Sequence, residues 1–252
     1  MAQHGHSEAC CSVPPAVAKD YKEKGKFVEI GGLKTYATGP SSATSAILII
    51  YDIFGYSPQA IQGADILAHA DDEHHQYQVF IPDFFEGKPA EYDWYPPDTK
   101  EKGEKLGAFF QGPAAPPKNA EKVPQLVEAI KKYSPKIEKS GVLGMCWGGK
   151  IVSLTSQSGT VFSAAAEVHP AMVDPNDAKG ISIPICMLPS GDEDQEAVKG
   201  FQEALNVPNY IETFPDQVHG WMAARGDLEN EKVKKEYERG YSVLLDFFHK
   251  HL

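Results

Sequence analysis

Gly144-Met145-Cys146-Trp147-Gly148 sets a thiol midway between two glycines. The pattern G-x-nucleophile-x-G marks a sharp strand-to-helix turn that lifts a nucleophile clear of a sheet, here with cysteine where serine is more usual. The demand is steric. The nucleophile sits in a strained turn, and glycines two residues to either side let neighbouring backbone approach without a Cβ clash. A helix beginning just beyond the thiol points its positive dipole end at the sulfur, which favours the thiolate. G-x-C-x-G alone also fits a buried structural cysteine. The context favours chemistry: the segment 141–149 (GVLGMCWGG) reads as a strand entering a turn, and 150–157 continues as a helix. Gly144 with Gly149-Lys150 also approaches a phosphate-binding loop, but Ile151 stands where a hydroxyl must hold magnesium, so a nucleotide site is not expected.

A thiol nucleophile needs a base, and the base needs an orienting acid. Downstream come Gly191-Asp192-Glu193-Asp194 and then Val218-His219-Gly220-Trp221. His219 is the only histidine lying between a last strand pattern and a terminal helix pattern. The three carboxylates compete for the acid's place, and their plain reading is a solvated acidic loop. The gaps between cysteine, acid and histidine each leave room for a strand–helix unit. Together the groups suit acyl transfer on an ester, lactone or thioester.

Such groups converge only if strands and helices alternate around one sheet. Residues 27–39 read as a hairpin turning at Gly31-Gly32. The runs SAILIIY (45–51), YQVFIPD (77–83), FSAAAEVH (162–169), IPICMLPSG (183–191) and NYIETFP (209–215) read as further strands, several of them apolar throughout. Helical patterns fall at 59–74, 120–133 and 229–251, with a short one near 101–110. This alternation predicts an α/β fold, a doubly wound and mainly parallel sheet in one domain over 26–252. Residues 1–25 read as a loose arm, and 84–118, rich in Pro, Gly and aromatics, as a long loop over a site.

Composition narrows the partners. The 252 residues suffice for one well-buried domain, and 42% apolar content is ordinary for a globular chain. A formal net charge of -11 with only two arginines, Arg225 and Arg239, argues against nucleic acid and anionic membranes. No apolar run approaches spanning length, and the first twenty residues lack a signal peptide's pattern, so the cytosol is the expected location. Cys10, Cys11, Cys146 and Cys186 form no disulfide framework. No cofactor motif is present. A small-molecule partner and a monomer or homodimer are expected.

The chain resembles the dienelactone hydrolase family, from about Phe27 to the C-terminus, and is most similar to fungal members with a like Cys-Cys and Pro-Pro arm. The resemblance rests on Asp52-Ile53-Phe54-Gly55, Pro82-Asp83-Phe84-Phe85-x-Gly87, the cysteine elbow, Gly191-x-x-Asp194 and His219-Gly220. It implies an α/β-hydrolase fold and a triad of Cys146, His219 and Asp194, with Asp192 the runner-up acid. It also implies an oxyanion hole from the backbone N–H groups of Ile53 and Trp147. Asp52 stands where bacterial members carry a thiol-activating glutamate and is one methylene shorter. Those members hold a substrate carboxylate with two arginines; 84–118 contains none, and Arg225 lies two residues beyond the other's position.

Arg225, Trp221, Phe54 and Tyr95 are therefore the expected substrate contacts, with an ion pair to Asp227 the alternative for Arg225. His169-Pro170 is expected to line the pocket and Cys186 to be core. His4, His6, Cys10 and Cys11 read as a polar arm rather than a metal site, and Asp71-Asp72-Glu73-His74-His75 as a solvated helix end. The expected activity is hydrolysis of a small lactone or ester through an acyl-enzyme. The alternatives are a thioesterase or other carboxylesterase of the same fold, an isomerase or redox enzyme using the same thiolate, or a catalytically silent binding protein.

Overall fold

In the computed structural model, residues 21–69, 76–95 and 97–252 are described. The expectations for His4, His6, Cys10, Cys11 and 71–75 lie outside them. The apolar runs become strands: β1 (Lys26–Ile30), β2 (Leu33–Thr38), β3 (Ser45–Ile50), β4 (Tyr77–Pro82), β5 (Lys139–Met145), β6 (Ala164–Val168), β7 (Ile185–Leu188) and β8 (Asn209–Ile211). β4 and β6 are buried along their whole lengths, as strands covered on both faces must be.

The sheet order is β1-β2-β4-β3-β5-β6-β7-β8. β1 and β2 form the antiparallel hairpin, turning on Gly31 and Gly32 at φ 61° and 81°, and β2 joins β4 antiparallel. All later pairings are parallel. From β3 the chain winds outward one way through β4, and from β5 the other way through β8. The crevice beyond the carboxyl ends of β3 and β5 is thus a topological switch point, where open α/β sheets bind ligands.

Register brings the strand ends level. Ile50 pairs with Gly144, Met145 with Val168, and Val168 with Leu188. The residues just beyond, Asp52, Cys146, His169 and Ser190, therefore emerge along one edge.

The helices are α1 (Pro58–His69), α2 (Lys100–Gln111), α3 (Pro116–Tyr133), α4 (Trp147–Thr155), α5 (Pro175–Ala178), α6 (Gln195–Ala204) and α7 (Glu231–His251). α3 starts earlier than the sequence suggests, because Pro116-Pro117 suits a first turn, where an N–H is not needed. β8 stops at Ile211 rather than running to 215. Beyond it only a bridge between Ser190 and Phe214 continues the pairing. α7 lies close on α1: a Cβ on Gly63 would fall 1.7 Å from the Tyr241 hydroxyl. Among the described residues no helix is long and apolar enough to cross a membrane.

Candidate active site

Cys146 takes φ 53°, ψ −111°, a backbone strained for any residue with a side chain. The glycines around it are required. A Cβ on Gly144 would meet the Gly148 carbonyl oxygen at 2.3 Å, and one on Gly148 would meet the Ile50 oxygen at 1.9 Å. Gly149 leaves only 2.9 Å to Pro170. α4 begins at Trp147, so that residue's N–H has no partner within its own helix. Its indole is pinned by donating to the Ala114 carbonyl at 2.9 Å. The side chain of Cys146 makes no capping bond to the helix.

Beyond β3, Asp52 and Ile53 form the opposite wall. Asp52 is buried, and its Oδ1 accepts from the Phe54 N–H at 2.8 Å while Oδ2 accepts from the Ala224 N–H at 3.3 Å. The turn closes through Gly55 N–H to the Asp52 carbonyl at 3.1 Å, with Gly55 at φ 75°. The Ile53 carbonyl accepts from Ala90 N–H at 2.9 Å, which fixes the plane of its peptide. The next motif explains itself similarly. Asp83 accepts from Gly87 N–H and from the Tyr51 hydroxyl, each at 2.8 Å, folding 83–87 against β3.

His219 receives its carboxylate from Glu193. Nδ1 lies 2.6 Å from Oε1, with the side chains 2% and 3% exposed. Glu193 also accepts from the Ser190 backbone N–H and, at 3.0 Å, from the Ser190 hydroxyl. A carboxylate on Nδ1 holds the tautomer whose Nε2 can take a proton. Asp192 serves the same histidine differently, its Oδ2 accepting from the His219 backbone N–H at 2.8 Å.

Asp194, the acid expected from the G-x-x-D spacing, is turned away from the histidine. It caps α6, accepting from Glu196 and Ala197 N–H at 3.0 and 3.2 Å. This placement has a physical cause. An aspartate directly before a helix is held there by the first orphan amides, and the longer glutamate before it reaches inward.

The expected substrate residues divide. Phe54 and Tyr95 come together, with ring centroids 5.5 Å apart, and Tyr92 packs on Phe54 at 4.7 Å. Phe54, Tyr92, Trp94 and Phe109 line a cleft of about 820 Å³ with Lys88 and Lys105 on its rim. Trp221 is instead packed into the core, stacked on Phe214 at 4.6 Å and against Gly240 of α7. Arg225 is 5% exposed, not a surface residue. Its aliphatic stem lies against Gly220, and Asp227 is engaged in a bond from Glu229 N–H.

Two further residues complete the edge. His169 follows β6 at φ 36°, its ring 5.4 Å from that of His219 in an edge-to-face arrangement. Burial, then the nearby His219 and Arg225, push its pKa well below the usual histidine value. Glu167, inside β6, accepts from the Ser153 hydroxyl of α4 at 2.6 Å, and burial raises its pKa to about 8. Cys186 is buried in β7, as expected of a core cysteine. Among the described residues no cluster of three His, Cys, Asp or Glu side chains is arranged to hold a metal ion.

A doubly wound sheet with a cysteine elbow at its switch point and a histidine–carboxylate pair beyond β7 and β8 defines the class: an α/β-hydrolase fold. The chain belongs to the dienelactone hydrolase family, whose sequence model matches residues 33–252. It is 38% identical to an uncharacterized AIM2 family protein of Schizosaccharomyces pombe over 250 residues, covering 95% of this chain and 98% of the relative. A carboxymethylenebutenolidase homolog of Xenopus tropicalis is 26% identical over 262 residues, covering 98% and 99%. In fold the chain is similar to the dienelactone hydrolase of Anabaena variabilis, with a TM-score of 0.63 at 15% identity over 92% of this chain and 98% of that one.

Proposed function

We propose that this member of the family hydrolyses a small ester or lactone through Cys146, with His219 as base and Glu193 as its orienting acid. The observation that carries the reading is the buried Glu193–His219 pair at 2.6 Å on the strand edge where Cys146 stands in its strained elbow. His219 takes the thiol proton, and sulfur bonds to the carbonyl carbon. The negative oxygen is met by the backbone N–H groups of Ile53 and Trp147. The C–O bond then breaks, the leaving oxygen takes the proton from His219, and an acyl-thioester remains. Water, deprotonated by His219, cleaves it and frees the thiolate.

Asp52 tunes the ionisation of the thiol, and Arg225 receives a carboxylate on the substrate. The cleft beside Phe54 takes the bulk of the acyl or alcohol group, which suits aromatic or extended substrates. The test is hydrolysis of a panel of p-nitrophenyl esters and lactones by wild type and Cys146→Ala. Loss of turnover in the variant is expected. Full activity without the thiol overturns the reading, and no activity in the wild type favours a binding protein.

A further inference from the structure

His169 has polar atoms that the fold leaves unaccounted for. The side chain is fully buried, and neither ring nitrogen has a hydrogen-bond partner among the described residues. Its backbone N–H donates to the Leu188 carbonyl at 2.9 Å, locking the residue at positive φ. On either side the same segment grips the nucleophile: Cys146 N–H donates to Val168 at 3.2 Å, and Ala171 N–H donates to the Cys146 carbonyl at 2.9 Å. A buried polar group without a partner is costly, so it marks a place where water or ligand enters. The His169 ring meets the His219 ring edge to face, with centroids 5.4 Å apart, so a water held on a His169 nitrogen stands beside the catalytic imidazole.

We propose that His169 positions the hydrolytic water, holding it by hydrogen bond against His219 for attack on the Cys146 thioester. The inference rests on the thiol-hydrolase reading above and assigns a residue to its second half. In that half the water oxygen bonds to the thioester carbon and its proton passes to His219. The C–S bond breaks, the product acid leaves, and the sulfur regains the proton from His219. A second basic histidine beside the water would compete for that proton. His169 does not, because burial and its two cation-forming neighbours hold its basicity down. It orients the water and leaves the proton to His219.

Acylation does not need this water, so the two halves separate in a burst experiment. Stopped-flow release of p-nitrophenol reads acylation in the burst and deacylation in the steady phase, and intact-mass spectrometry reads acylated Cys146. His169→Leu is expected to slow deacylation at least about tenfold more than acylation, the scale at which a misplaced reactant costs rate. Acyl-enzyme then accumulates. His169→Asn, which keeps a donor and an acceptor, recovers part of the deacylation rate and carries the comparison if the Leu variant does not fold. Equal losses in both phases, or unchanged deacylation, overturn the inference. Full hydrolysis in Cys146→Ala sinks the thiol reading itself, a separate failure from thiol-dependent hydrolysis that is indifferent to His169.

Discussion

Glu193 reaches past its neighbour to His219, Oε1 standing 2.6 Å from Nδ1, while Asp194 one residue on faces the start of α6. Two adjacent carboxylates therefore hold different jobs, and substitution separates them. Glu193→Gln is expected to lower kcat by about 10²–10⁴ with little change in KM, the usual range for losing a triad partner. Asp194→Asn is expected to leave kcat near wild type, since asparagine is also a good cap, while Asp194→Ala lowers stability by about 0.5–2 kcal/mol. Steady-state kinetics and thermal melts read both; a large kcat loss confined to Asp194→Asn would restore Asp194 as the acid.

Cys146 and Cys186 differ in readiness to react. Burial pushes the Cys186 thiol far above its ordinary value, so it stays protonated in the fold. Iodoacetamide at neutral pH is expected to alkylate Cys146 first, with activity lost in step with that single modification by peptide mapping. Labelling of Cys186 ahead of Cys146 contradicts the assignment.

Asp52 is expected to act on the thiol as well as on its own turn. A carboxylate beside a thiolate opposes its formation yet can accept its proton. Asp52→Asn is expected to shift the pH midpoint of Cys146 alkylation and to lower kcat by loosening the Ile53 turn. An unmoved midpoint with reduced stability leaves Asp52 as a support of the turn alone.

Arg225 is expected to set the charge preference. Its guanidinium is buried, and a carboxylate is the group that it can clamp bidentately. Arg225→Ala is expected to lower kcat/KM for a carboxylated lactone about tenfold or more relative to the neutral analogue, as losing a charged hydrogen bond does. The quantity to compare is that ratio, and an unchanged ratio removes Arg225 from substrate recognition.

Glu167 predicts a pH dependence of stability. Its carboxyl rises from the ordinary 4.5 to about 8 in the fold, through burial first. The folded state therefore keeps a proton that the unfolded chain has lost. The stabilisation is full below pH 4.5 and is lost as pH rises to about 8. Glu167→Gln, which takes no proton, is expected to flatten the fall in melting temperature between about pH 5 and pH 8. Parallel curves for variant and wild type contradict it.

Most of this arrangement was legible in the chain. Apolar strand runs and the glycines of the elbow predicted the sheet, because burial on both faces and backbone contacts under 3 Å admit few other residues. The order cysteine, acid, histidine pointed to the strand edge where Cys146, Glu193 and His219 emerge. Spacing did not choose among Asp192, Glu193 and Asp194, since the choice depends on how one short turn rotates. The N-cap signal at Asp194, an aspartate opening the amphipathic α6, was there to be read. Trp221 was misjudged because a tryptophan beside a catalytic histidine suits a pocket wall as well as a core. Only the stacking on Phe214 separates them.

One carboxylate joins the two walls of the site. Asp52 grips Phe54 with one oxygen and, 172 positions along the chain, Ala224 with the other. The segment carrying Ile53 and the segment carrying Arg225 are thereby clasped, and neither swings outward without exposing a buried bond. The mouth behaves as a single jaw. A change of length in the loop after His219 is therefore expected to be felt at Ile53, tying substrate range to the shape of the turn after β3.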